Sequence, residues 1–370
     1  MPSAYDQRMD ELELAQLLIA FDTSDAEGIR RASEFVSGWL SSSDARVEHV
    51  EARGLPVTKA EVGPDSDDAP TLVLHGHIDV VPAPPGQFDP SVDGDRLRGR
   101  GAYDMKGALA AMMLALRDLS DQDEVRVRLG VVCDEESEEE QDRGSDALVD
   151  SGFLGDFAIT GEPTNLQVGI QAKGVLGLRL EVSGRSAHGA TPWLGDNAVV
   201  KAVEVFRAIE SLPFARDSSA LFDRPSINLG RILGGDALNK VPDLCAIDVD
   251  IRFLPDQSPD EILAQVGGIE DVRVVETFSR PPAVVEATSP FVEGLCQAAS
   301  PHHPERVVSV GRDGASDAVS FLRAGVPAVE FGPVGEGHHG PDEWVSIESL
   351  ASYRRALRSF ASSFPGLVTT

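Results

Sequence analysis

The stretch LVLHGHIDVVP, residues 72 to 82, sets His75, His77 and Asp79 at alternate positions of an apolar run. Strand side chains repeat every two residues, so the three share one face of a buried strand, with His77 and Asp79 toward its carboxyl end. Only eight histidines occur in the whole chain, which makes two of them beside a carboxylate worth explaining. A carboxylate in this place can accept the proton of one imidazole nitrogen and aim the other at a metal. A histidine hydrogen-bonded within the core is the alternative.

Outward from this strand the pattern is regular. Residues 9 to 21 and 26 to 41 read as amphipathic helices, the second with Ile29, Ala32, Val36 and Trp39 at helical spacing after the capping candidates Ser24 and Asp25. Then TLVLHGHI reads as strand, MKGALAAMMLALRDL as helix, and VRVRLGVV and FAITG as strands. Such alternation predicts an α/β fold, a mostly parallel sheet with helices on both faces. Ligands bind beyond the carboxyl ends of the strands in sheets of this kind.

After residue 172 the pattern changes. VLGLRLEVSG alternates, with Leu176, Leu178, Leu180 and Val182 on one face. The order strand, helix, strand, strand, helix, strand follows, which is that of a ferredoxin-like α+β unit. Pro281 and Pro282 mark a linker, and PAVEFGP with a helix near 346 to 363 resumes the first domain. The expected organisation is a domain of residues 1–172 and 286–370, with a second domain of residues 173–285 inserted into it.

Composition narrows the function. Hydrophobic content of 42% and charged content of 25% describe a globular chain. No run of about 18 apolar residues is present, so no membrane span is expected. The segment MPSAYDQRMDELELAQ lacks the basic and apolar parts of an export signal, which points to the cytoplasm. Cys133, Cys245 and Cys296 are widely spaced and form no metal knuckle. The formal charge of -29, with 32 basic against 61 acidic residues, argues against nucleic acid as a partner. It describes a solvated acidic surface, with salt adaptation left open.

Four further motifs fall at the ends of strands. GRGAYDMKG, residues 99 to 107, carries Asp104 between a glycine-rich turn and a helix, where it could cap the helix or bind a ligand. VVCDEE delivers Asp134, Glu135 and Glu136 at a strand's carboxyl edge, ITGEPT places Glu162 after another, and GHHGPDE adds His338 and His339. Each alone is compatible with an ordinary polar loop. Their joint position at the ends of one sheet suggests a site.

Together these motifs resemble the di-zinc amidohydrolase and peptidase family of acetylornithine deacetylase, succinyl-diaminopimelate desuccinylase, aminoacylase and glutamate carboxypeptidase. The resemblance spans nearly the whole chain. It implies a zinc-exopeptidase-like catalytic domain with an inserted lid and dimerisation domain. It also implies His77, Asp104, Glu136, Glu162 and His339 as metal ligands, with Asp104 bridging two ions and a cis peptide following it. His339 is preferred to His338 because Asp342 and Glu343 stand where the family pattern needs them. Asp79 becomes the partner that orients His77, and Glu135 the general base. His75 falls outside the pattern and is expected to support the site or the core.

In the inserted domain, GRSAHGATP offers Ser186 and His188, but a pair two residues apart makes no triad without an acid. The resemblance gives His188 the task of stabilising an oxyanion, often across a dimer. Arg252 shares a strand face with Asp248 and Asp250, so an ion-pair ladder is one reading of it. The resemblance offers another, a grip on a substrate carboxylate, with Asn239 as companion.

The expected cofactors are two Zn(II) ions, with Co(II) or Mn(II) able to substitute, since the donor set has imidazole and carboxylate but no thiolate. The expected reaction is hydrolysis of an acyl amino acid by a homodimer. A dipeptidase or carboxypeptidase is the alternative within the class, and a non-catalytic scaffold the alternative outside it. Two departures bear on substrate. SEEEQDRG is acidic where the family is often glycine-rich, and Ala315 precedes Ser316 and Asp317 where a desuccinylase is expected to carry Thr.

Overall fold

Residues 8–137, 142–303 and 307–368 are described in the computed structural model; residues 138–141 of the acidic run and residues 1–7 of the N-terminal segment lie outside them. The chain divides into two compact units, one of Met1–Ile170, Val285–Val310 and Asp317–Thr370, the other of Gln171–Val284 and Gly311–Ser316.

At the centre of the first unit, Arg126–Val132, Thr71–His77, Phe157–Thr160 and Ala328–Glu330 run parallel to one another. The flanks of the sheet are antiparallel. Leu55–Val62 pairs with Arg126–Val132 and turns back as a hairpin onto Arg46–Ala52, while Val168–Ala172 meets Ala328–Glu330. Every residue of Thr71–His77 is buried, as a strand covered on both sides requires. Gly76 faces one helical layer, where an added Cβ would stand 2.5 Å from Met105 Cε, and the neighbouring His75 bonds to Ser145 at the start of the helix Gly144–Asp150. Alternate residues of one strand thus meet helices on opposite faces.

The central helix, Gly107–Asp118, is buried almost all round. Asp25 caps Ala26–Ser41 by accepting from Gly28 N at 2.8 Å. A small second sheet joins Ser91–Asp93, Arg96–Arg98, Trp344–Ser346 and Gly335–Glu336. Its strands are two or three residues long, too short for periodicity to show. They matter because Arg98 pairs with Trp344 and brings the loops after 98 and before 344 side by side.

The second unit has an antiparallel sheet in the order Ser226–Gly234, Leu244–Phe253, Gly174–Ser183, Val272–Arg280. With the helices Ala198–Ile209 and Pro259–Gly267 this is the ferredoxin-like βαββαβ arrangement. Leu176, Leu178, Leu180 and Val182 fill its core against Ile247, Val249 and Ile251, which is the alternation read from the sequence.

Candidate metal centre and active site

The central strands end together, and their ends carry the chemistry. His77 closes Thr71–His77, Glu135 and Glu136 follow Arg126–Val132, and Glu162 follows Phe157–Thr160. Asp104 reaches the same place from the turn before the central helix, and His339 from the loop before Trp344–Ser346. Among the described residues, three groups have their donor atoms within 4.8 Å of one another in each group: His77, Asp104 and Glu162; His77, Glu135 and Glu136; Asp104, Glu136 and His339. Asp104 belongs to the first and the last, the position a bridging carboxylate takes.

His77 is fully buried, and its Nδ1 lies 3.0 Å from the Asp79 carbonyl oxygen and 3.6 Å from Asp79 Oδ1. The carbonyl accepts the Nδ1 hydrogen, so Nε2 is left to face Asp104 Oδ1 at 3.1 Å and Glu162 Oε1 at 4.0 Å. Asp79 therefore orients His77 chiefly through its main chain. Its carboxylate Oδ2 accepts from Glu136 N at 2.8 Å and fixes the neighbouring loop. On the other side, His339 Nε2 lies 2.9 Å from Glu136 Oε1 and 3.6 Å from Asp104 Oδ2. Asp104 caps no helix, since the Gly107–Asp118 helix has no side-chain cap. The peptide between Asp104 and Met105 is cis.

The cluster is short of positive charge. Burial, then the charges of Asp104 and Glu135, hold the Glu162 carboxyl well above the usual range, and His77 only partly relieves it. Burial likewise raises Glu135 well above the usual value, with Asp317, Glu136 and Asp104 adding to it. Burial draws His77 down, but its bonds to Asp104 and Asp79 outweigh this and raise it well above normal. The hydrogen bond to Glu136 raises His339. Glu162 Oε1 is buried and has no hydrogen-bond partner among the described residues. An orphaned carboxylate oxygen in a nest of carboxylates and imidazoles fits a divalent cation.

His75 lies outside the three donor groups. Its Nε2 is 2.9 Å from Ser145 Oγ, and Ser145 donates to Asp317 Oδ2 at 2.5 Å, all buried. Arg143, not singled out in the sequence, donates to the Glu135 carbonyl at 2.6 Å and pairs with Asp317 at 3.9 Å. Arg100 is likewise not singled out in the sequence, and Glu343 enters there only through its place in the family pattern. An arginine held between two glycines just before a candidate ligand was the available signal.

His188, Asn239 and Arg252 belong to the second unit. Gly189 N donates to the Asn239 carbonyl at 2.7 Å, so the loops of His188 and Asn239 meet. His188 is exposed, and its Nδ1 accepts from Ala190 N at 3.0 Å, which assigns the ring hydrogen to Nε2. Arg252 Nε donates to Asp250 Oδ2 at 3.0 Å, and Asp248 pairs with Arg179 at 3.1 Å. The ion-pair ladder is therefore present.

An α/β sheet that gathers two histidines and four carboxylates at its carboxyl edge defines a metal-dependent hydrolase. The chain belongs to peptidase family M20/M25/M40, whose profile matches residues 73–363. It is 30% identical to a succinyl-diaminopimelate desuccinylase of Beijerinckia indica, over 88% of this chain and 94% of that protein. It is 27% identical to a succinyl-diaminopimelate desuccinylase of Caulobacter vibrioides, over 98% of this chain and 99% of that protein. Its fold is similar to that of an M20 family metallo-carboxypeptidase from Sulfolobus solfataricus, with a TM-score of 0.78, 19% identity and coverage of 96% of this chain and 100% of that one. The protein is thus a hydrolase of amide bonds, which sets aside a non-catalytic scaffold. Among the described residues no helix is long and apolar enough to cross a membrane.

Proposed function

We propose that the protein removes the acyl group from an N-acyl amino acid, in the manner of an acetylornithine deacetylase or succinyl-diaminopimelate desuccinylase. The observation that carries the reading is the place of Asp104 between two donor pairs, His77 with Glu162 and Glu136 with His339, with Glu135 beside them. The two desuccinylases matched along nearly their full length support the acyl amino acid as substrate class. These residues would hold two Zn(II) ions, with Co(II) or Mn(II) able to substitute. When bound, such ions supply Lewis acidity toward an amide carbonyl and acidify a water.

The chain's own groups do the rest. Glu135 takes a proton from the attacking water and hands it to the departing amine. Asp79 turns the Nε2 of His77 toward Asp104 and Glu162 and holds the Glu136 loop. His188 donates from Nε2 to the oxyanion of the tetrahedral intermediate. Arg252 presents its remaining guanidinium donors to a substrate carboxylate, in competition with Asp250, and Asn239 stands with His188.

The inserted domain, residues 173–285, is proposed as lid and dimerisation domain. Exposed Val200 and Val203 on its Ala198–Ile209 helix, and the exposed edge strand Ser226–Gly234 with Ile232 and Leu233, support a homodimer through this domain.

Ala315 before Ser316 and Asp317 keeps a second reading, a dipeptidase or carboxypeptidase. Chelator-treated protein reloaded with zinc, offered N-acetyl and N-succinyl amino acids and dipeptides, separates the two. Release of free amine from an acyl amino acid, lost on chelation, is expected. Turnover of dipeptides alone would transfer the assignment to the second reading, and no turnover by metal-loaded protein would remove both.

A further inference from the structure

We infer that Arg100 and Glu343 form a clasp that presets the loops carrying Asp104 and His339, and so act as positioning residues for metal binding. The inference rests on the reading of Asp104 and His339 as ligands and adds the device that holds them. Asp104 comes from a turn with no regular partner. Gly101 lies at φ 79, where a side chain is disfavoured, and Asp104 and Met105 leave helical geometry. The N–H groups of such a turn, once buried, need acceptors.

One carboxylate supplies them. Glu343 Oε2 accepts from Gly101 N at 3.1 Å, and Oε1 accepts from Tyr103 N at 3.0 Å and Asp104 N at 3.1 Å. Arg100 Nη1 donates to the same Oε2 at 2.8 Å, and its Nη2 donates to the His339 carbonyl at 3.1 Å. The carboxylate therefore fixes the Asp104 backbone, and the guanidinium paired with it fixes that of His339. Gln87 completes the link: Oε1 accepts from Arg100 Nη2 at 3.3 Å, while Nε2 donates to the carbonyls of Gly340 at 3.1 Å and Pro341 at 2.8 Å.

Two features separate this clasp from an ordinary core ion pair. Arg100 and Glu343 are 3% and 2% exposed, and burying such a pair adds little net stability because desolvation offsets the attraction. Its directed bonds run instead to the two loops that carry candidate ligands. His339 also sits at φ 62, an unusual conformation for a residue with a side chain, and Arg100 holds its carbonyl. The small sheet brings the loops into register, and the clasp sets the last few ångströms.

The test is zinc affinity, read by competition with a chromogenic chelator and independent of turnover. Glu343→Gln alone leaves Arg100 buried without its counter-charge and is prone to unfold. The charge-balanced variant Arg100→Gln/Glu343→Gln avoids this. It is expected to keep the wild-type circular dichroism spectrum and to bind zinc about 10- to 100-fold more weakly. Gln87→Ala, which removes its bonds to Gly340, Pro341 and Arg100, is expected to weaken binding by a smaller factor and carries the test if the double variant does not fold. Wild-type zinc affinity in the folded double variant, or in Gln87→Ala where it is needed, overturns the clasp. Asp104→Asn is measured alongside, and unchanged affinity there would overturn the ligand reading instead.

Discussion

Glu135→Gln should separate catalysis from folding, because its two expected effects have opposite signs. Glutamine fills nearly the volume of glutamate, so no cavity forms, and the bond from Arg143 to the residue 135 carbonyl is untouched. What is lost is the proton acceptor. A positioned general base is worth about 100- to 10,000-fold in rate. That corresponds to roughly 3 to 5 kcal/mol of barrier. Stability should move the other way. Burial and the charges of Asp317, Glu136 and Asp104 raise the Glu135 carboxyl in the metal-free fold, so its ionisation opposes folding. A carboxyl raised in this way contributes stability below its unfolded pKa, about 4.3, and loses it as the pH climbs through the folded value. In chelator-treated protein the variant should therefore melt higher than wild type, by a margin that opens as the pH rises from acid to neutral. Steady-state kinetics, metal analysis and calorimetry across pH read both effects. A folded, metal-loaded variant retaining more than about a tenth of wild-type kcat would refute the base assignment.

Further outcomes follow from the proposed function. His188→Ala should lower kcat by about 100- to 1,000-fold with zinc affinity unchanged, since the imidazole belongs to the other compact unit and to none of the donor groups. If His188 acts across a dimer, mixing this variant with Glu135→Gln should restore activity through hybrid dimers, and no recovery despite confirmed subunit exchange would place it in cis. Zinc binding should release protons and weaken as the pH falls, because the ion must displace protons held on His77 and Glu162, both raised above their usual values. Calorimetric titration in buffers of different ionisation enthalpy measures that release, and a proton count of zero near neutral pH would contradict it.

The parallel centre of the sheet was legible because its strands are apolar on both faces and flanked by helices of clear period. The ferredoxin-like unit was legible from strict alternation, as at Leu176 to Val182. The hairpin of Arg46–Ala52 and Leu55–Val62 was not, since its outer strand is largely exposed and carries little apolar pattern. The small sheet escaped for want of length. At the site, side chains that end strands were visible because their chemistry is unusual there. The residues that hold them were not, because Arg100 and Glu343 act on backbone groups far off in sequence, and Arg143 on the carbonyl of Glu135 eight residues away. Arg252 shows the limit from the other side, since its ion pair with Asp250 is compatible with either reading of the sequence.

The central claim is a two-ion centre bridged by Asp104. Anomalous diffraction at the zinc edge, from crystals of chelator-treated protein soaked in zinc, tests it without reference to any substrate. Two peaks about 3.5 to 4 Å apart are predicted, one against His77 and Glu162, the other against Glu136 and His339, with Asp104 between them. A single peak, or zinc bound away from Asp104, would contradict the account.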